Sequence, residues 1–233
     1  MNARGALLAS RTVRVGLALV GVLVLVATVG PFVASHDPYT SDFVRGISPE
    51  QLPVGPGARF WLGTDRLFRD VFARIAAGGR TSLAIGLAST VLATTIGTVV
   101  GIVAGWYEGR LADTILMRIV DVGLAFPFLL IVMALGAALE RTTSVTIFLT
   151  LGLTGWLGVA RLVRGKTMQV RSLDFIVAAR ALGQSTPRIL LRHVLPNVGG
   201  PVVVVATMLV AQMILAESVL SFLGAGLSPP APR

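Results

Sequence analysis

The 233-residue sequence contains no cysteine, has Lys166 as its only lysine, and devotes just 13% of its residues to charge of either sign. Without cysteine there is no disulfide framework, no thiolate nucleophile and no thiolate metal site. A soluble domain of this size carries about a quarter charged residues, so most of this chain's surface faces something other than water. Nor is there a Ser/His/Asp or paired-carboxylate arrangement. No catalytic residue, metal ligand or cofactor site is expected.

What the chain does have is apolar sequence: 54% of its residues are hydrophobic, and the mean hydropathy is +0.82. The net charge of +9 could point to nucleic acid. Its arginines, however, cluster between apolar runs, which is the positive-inside pattern of a protein embedded in a lipid bilayer, so no nucleic-acid partner is expected. The runs cover residues 13–33, 82–106, 116–139, 144–163 and 201–222. Each is close to the roughly 20 residues that span a bilayer. The expected fold is therefore all-α: a polytopic membrane helical bundle of about five spans.

The first run follows Arg4, Arg11 and Arg14. It is longer than the roughly 7–15-residue core of a signal peptide, and no small-x-small cleavage site follows it, so it reads as an uncleaved span. Residues 34–80 form a polar connection broken by Pro38, Pro49, Pro53 and Pro56. Its second half, 65–80, reads as helical from the spacing of Leu67, Val71, Arg74 and Ile75. This divides the chain into 1–80, a span plus an extracytoplasmic loop, and 81–233, the main membrane domain. Gly97, Gly101 and Gly105 lie four apart in the second span, a stripe along which another helix can approach closely. Pro127 should kink the third span.

The loop from Arg161 to Asn197 carries seven basic residues against the single acid Asp174. The amino terminus and this loop are both expected in the cytoplasm. Within the loop, Asp174 can cap a short helix. Gly183 can end it in a left-handed conformation, Ser185-Thr186-Pro187 can start a second helix, and Pro196 is expected to stop that one at the membrane.

In this loop the sequence resembles the integral-membrane permeases of binding-protein-dependent ABC importers. Their signature is Glu-Ala-Ala, three residues, Gly, nine residues, then Ile-x-Leu-Pro. Ala178, Ala179, Gly183, Leu195 and Pro196 fall on it, with Val177 and His193 replacing the glutamate and isoleucine. The segment WLGTDRLFRDVFAR at 61–74 is similar to the Leu-Gly-Thr-Asp-x-x-Gly-Arg-Asp segment of the dipeptide, oligopeptide and nickel branch, although Phe68 stands in place of its glycine. Residues 217–230 resemble that branch's Leu-Ser-Phe-Leu-Gly-x-Gly segment.

The resemblance implies a type I ABC importer transmembrane domain in the cell (inner or plasma) membrane, the second, C-type permease of its system. Its partners would be a second permease subunit in a heterodimer, ABC ATPase subunits that hydrolyse ATP, and an extracytoplasmic solute-binding protein. Asp174, Ala178, Ala179, Gly183, Leu195 and Pro196 would form the ATPase-coupling loop, with the small residues admitting a partner surface. Family members continue into one further span, so the sequence reads as truncated at its carboxyl end.

Gly165-Lys166-Thr167 does not make a phosphate loop, because Ala160 occupies the position of the required glycine. Among ionisable or polar groups beside apolar runs, Asp121 is expected to pair with Arg118 one turn away. Gln212 and Glu217 either line a translocation path or bond between helices, and Glu140 belongs to the same class. His193 reads as neither ligand nor catalyst. A secondary transporter or channel subunit working without ATPases is the alternative function, but such proteins usually show inverted repeats, and the sequence has no clear repeat.

Overall fold

A computed structural model describes residues 10–138 and 143–223. Glu140 and the carboxyl-terminal segment from Gly224 lie outside the described residues. Among the described residues seven helical elements follow one another: α1 (Arg11–Val33), α2 (Val71–Trp106), α3 (Leu111–Ala125), α4 (Phe128–Ala138), α5 (Ser144–Arg171), α6 (Asp174–Ala181) and α7 (Thr186–Phe222). Among the described residues the only strand-like pairings are two isolated bridges, Ile47–Pro53 and Thr64–Asp70.

α1, α2, α5 and α7 are each long and apolar enough to cross a membrane, and the bent pair α3–α4 makes a fifth if counted as one span. That matches the expected all-α bundle. The bend expected at Pro127 is a 90° break between α3 and α4, because Pro127 lacks an N–H and forces the preceding Phe126 into extended backbone. Two boundaries differ from expectation. α5 runs eight residues past Val163, to Arg171, since nothing before Ser172 interrupts it. The helix expected over 65–80 begins only at Val71 and runs unbroken into the second span.

The chain divides into two compact units between Ala84 and Ile85. In the first, the end of α1 crosses the start of α2 over small residues. A Cβ on Gly30 would lie 2.8 Å from Ala76 Cβ, and one on Gly79 would lie 3.4 Å from Ala27 Cβ. The rest of α1 buries almost nothing; Leu23, for example, is 67% exposed. A helix apolar all round suits a lipid environment.

The connection 34–70 is irregular yet ordered by side chains. Asp70 caps α2, its Oδ1 accepting the N–H groups of Phe72 at 2.8 Å and Ala73 at 3.2 Å. Its other oxygen meets His36 Nδ1 at 2.9 Å, and the His36 ring stacks on buried Phe60 with centroids 4.6 Å apart. Thr64 Oγ1 donates to the Gly46 carbonyl at 2.9 Å and accepts from the Val54 N–H at 3.0 Å. Burial pushes the Asp65 carboxyl up. The Arg69 amide and guanidinium outweigh that and hold it below the usual carboxylate range. The turn that displaces the expected helix start is closed by Phe68 at φ 58°. The substituted side chain thus occupies the left-handed conformation that glycine adopts more readily.

The second unit is held by glycines against backbone. An ideal Cβ on Gly97 would lie 2.6 Å from Val159 Cβ and 2.8 Å from the Trp156 carbonyl oxygen. On Gly101 it would meet the Ala160 oxygen at 2.6 Å and Val163 Cβ at 2.7 Å. On Gly105 it would meet the Arg164 oxygen at 2.6 Å and Thr167 Cβ at 2.7 Å. The four-residue stripe on α2 therefore tracks a four-residue row of carbonyls on α5. Ser89 Oγ adds a hydrogen bond to the Phe148 carbonyl at 3.1 Å. The buried cluster around this contact includes Leu151, Val159, Val163, Val198 and Met213.

Candidate functional site

The segment 174–197 folds into two short helical pieces around a glycine turn. Leu173, in extended backbone, occupies the N-cap position of α6. Asp174 lies one residue further in and makes no side-chain cap, so its contribution is negative charge in the first turn. At the other end Gly183 has φ 76°. The Gly183 N–H donates to the Arg180 carbonyl at 2.9 Å and the Gln184 N–H to the Ala179 carbonyl at 3.1 Å. These are the two bonds of a Schellman cap, which needs a left-handed residue at this position.

Ser185, again extended, leads into Thr186 and Pro187 at the start of α7. Pro196 does not stop this helix, contrary to expectation. Instead the chain passes through a π-helical turn, Leu190–Val194, and continues without a break from Leu195 to Phe222. A proline inside a helix leaves a carbonyl without its donor. Here the ladder re-registers, with the Leu195 N–H bonding to the Leu190 carbonyl, and the Asn197 side-chain amide donates to the His193 carbonyl at 2.7 Å. His193 has a positioning contact rather than a solvated one: its Nε2 lies 3.2 Å from Gln184 Oε1, and its ring is 6.2 Å from that of Phe175.

One side of α6 is anchored and the other is open. Ile176 and Ala179 are buried in the same cluster as Trp106, Ile189 and Val194. The Arg180 guanidinium sits 4.2 Å from the Trp106 ring centroid, a cation–π contact between α6 and the end of α2. Burial, with the Arg171 charge adding to it, holds the Arg180 pKa below the ordinary arginine range. Facing outward are Val177, Ala178, Leu191 and Leu182, the last 81% exposed. Gly183 is exposed too, and a Cβ built on it meets nothing within 4 Å. Of the signature residues, Ala178, Ala179 and Gly183 thus share one helix and its cap, whereas exposed Leu195 and Pro196 lie beyond the π turn.

An ion-pair ladder beside this loop was not legible beforehand. Arg164 grips Asp113 with two hydrogen bonds, Nε to Oδ1 at 2.6 Å and Nη2 to Oδ2 at 2.8 Å. The Gly109 N–H also donates to Asp113 Oδ2, at 3.0 Å. Breaking a buried pair costs about 3–5 kcal/mol, and the 29% exposure of Arg164 puts this one at the low end of that range. Arg171 Nη1 lies 3.8 Å from Glu108 Oε2. Asp121 pairs with Arg161, at 2.5 Å, and not with Arg118. Helical proximity favoured Arg118, but α3 lies alongside α5 and brings in the arginine forty residues on. The available signal was the acids Glu108, Asp113 and Asp121 set against the basic end of α5.

The two candidate path residues do not come together. Gln212 is exposed and lines a cavity of about 240 Å³ with Phe126, Phe128, Gly155, Val205 and Leu209. Glu217 is buried, with Ser221 Oγ donating to its Oε1 at 3.0 Å, and it is not among the residues lining that cavity. Gly165, Lys166 and Thr167 lie within α5, a helix rather than a phosphate-binding loop.

Comparison with known proteins agrees with this architecture. Residues 2–49 match the N-terminal transmembrane domain of oligopeptide transport permease C. The chain is 38% identical over 92% of its length to the dipeptide transport system permease protein of Bacillus subtilis (strain 168), and spans 65% of that protein. It is 36% identical over 93% of its length to the same organism's oligopeptide transport system permease protein, spanning 68% of it. For the oligopeptide permease of Salmonella typhimurium the identity is 38% over 98% of this chain and 74% of the relative. Residues 97–232, more than half of the sequence, match the binding-protein-dependent transport system inner membrane component family, and the chain belongs to that family.

Proposed function

We propose that this chain is the membrane-spanning permease subunit of an ATP-driven importer of peptides or a related small solute, the second, C-type permease of its system. Segment 174–197 is its handle for the ATPase, and ATP hydrolysis takes place in that separate subunit. The observation that carries this reading is the division of α6: Ile176 and Ala179 buried in the bundle, Val177, Ala178 and Leu182 exposed on the other side. An exposed apolar surface rimmed by arginines is suited to a protein partner. Through Ile176, Ala179 and the Arg180–Trp106 contact, a push on α6 is delivered to α2 and to the start of α7. The peptide assignment rests on what the permeases of Bacillus and Salmonella are named for.

The remaining partners follow from the family. A second permease subunit completes a heterodimer, and an extracytoplasmic binding protein delivers the solute. The seven basic residues of 161–197 support a cytoplasmic position for that loop and, with it, for the amino terminus. Gln212 contributes a polar group to the translocation path, and Glu217 acts on that path from within the bundle.

Uptake of a labelled peptide by membrane vesicles carrying the complete system tests the reading. Uptake is expected to stop when the ATPase subunit is deleted and to continue when a protonophore collapses the proton gradient. The opposite pattern belongs to a secondary transporter and would overturn it.

A further inference from the structure

The exposed face of α3 is a single stripe at helical spacing: Leu111 at 75% exposure, Ile115 at 51%, Ile119 at 52% and Val122 at 63%. Arg118, also exposed, interrupts it. In a membrane the apolar members need no protein partner, since acyl chains cover them. The arginine does need an anion, because an unpaired charge beside hydrocarbon is costly. Arg118 makes no ion pair or side-chain hydrogen bond among the described residues. The two nearby acids are already engaged, Asp113 by both arms of Arg164 and Asp121 by Arg161.

These groups line an open cleft of about 400 Å³, together with Thr114. Three arginines, Arg118, Arg161 and Arg164, face two aspartates there, so the cleft carries one excess positive charge. We propose that it holds the phosphate of an anionic phospholipid, gripped by Arg118 and Arg161 with Thr114 at the rim, while the acyl chains lie along Ile115, Ile119 and Val122. Charge complementarity selects the headgroup, and the stripe's continuity with the arginine selects a lipid over a soluble anion. The site rests on α3 and α5 alone and stands whatever solute the protein carries. A basic pocket between membrane helices is a known physical basis for headgroup binding.

Native mass spectrometry of the full chain, purified in detergent and titrated with phosphatidylglycerol or phosphatidylcholine of matched acyl chains, tests this. Phosphatidylglycerol adducts are expected at roughly fivefold higher occupancy, the worth of about one cation at the membrane surface. Arg118→Gln removes that preference while leaving phosphatidylcholine binding unchanged, and Arg118→Lys retains it. Millimolar inorganic phosphate does not displace the lipid. Equal occupancy of the two lipids, an undiminished preference in Arg118→Gln, or displacement by phosphate overturns the assignment. A photoreactive residue at Ile119 supplies an independent reading in native membranes: lipid adducts are expected, and a crosslink to a second permease polypeptide would instead make this stripe a protein interface.

Discussion

Gly183→Asp and Gly183→Asn both insert into the membrane at the native level, yet each loses at least about thirtyfold in transport rate, the equivalent of the ~2 kcal/mol lost when a central interface contact is broken. The expectation rests on two features of the cap. Its φ of 76° admits Asn and Asp with little strain, since their short side chains tolerate the left-handed region. Beyond its two chain neighbours, no atom among the described residues lies within 4 Å of a Cβ at this position, so the new side chain points into open space. On the proposed coupling role, what the substitution disturbs is the partner surface docked on this cap. A β-branched residue such as Gly183→Val confounds the test, because the left-handed backbone itself costs about 1–2 kcal/mol there. Membrane fractionation and vesicle uptake, measured side by side, check the prediction. Native transport rates in both variants would remove the coupling role from Gly183.

Gly101→Val is expected to fail at an earlier step. Its Cβ would be forced to 2.6 Å from a backbone oxygen of α5 and 2.7 Å from Val163 Cβ, and a carbonyl within a helix cannot swing aside as a flexible side chain can. Overpacking typically costs about 1–3 kcal/mol, and a backbone obstacle places this variant at or above the upper end. For a chain of this size that corresponds to a Tm lowered by about 6–12 °C. Gly165→Ala, on a neighbouring helix where a Cβ meets nothing within 4 Å, should leave Tm unchanged. Thermal unfolding of the two variants in the same detergent makes the comparison. Equal Tm values would show that α2 and α5 do not rely on that close approach.

Why such features differ in legibility is a matter of range along the chain. The four-residue spacing of Gly97, Gly101 and Gly105 is a local pattern, and so is the Gly183 stop followed by Ser185, Thr186 and Pro187. The apolar runs are local too, and they delimit the bundle. The row of α5 carbonyls opposite the glycines carries no sequence signal, because every residue has a carbonyl. Asp121 shows the same limit from the other side. Its neighbour Arg118 was visible one turn away, but its partner Arg161 lies forty residues downstream and is selected by the packing of α3 on α5.

Proline was legible only in part. Pro127 breaks the α3–α4 pair by 90°, with Phe126 before it in extended backbone. Pro196 has the same defect and does not break its helix: the chain runs through a π turn into Leu195, and the Asn197 side chain adds a bond to the His193 carbonyl. A single residue's propensity does not reveal whether such compensation exists nearby. The misplaced helix start near residue 65 has a similar origin: periodicity in Leu67, Val71 and Ile75 is real, but Asp70 caps the helix and Phe68 closes the turn before it.

The account depends on α6 being gripped from the cytoplasm by an ATP-hydrolysing subunit. The absence of cysteine from this sequence makes a direct measurement possible, since Leu182→Cys, at a site 81% exposed, introduces a single thiol into residues 1–233. In intact cells that thiol should resist a membrane-impermeant maleimide, and in inside-out vesicles a short bifunctional reagent should join it to the ATPase subunit. Labelling from outside the cell, or vesicles that yield no such adduct, would contradict it.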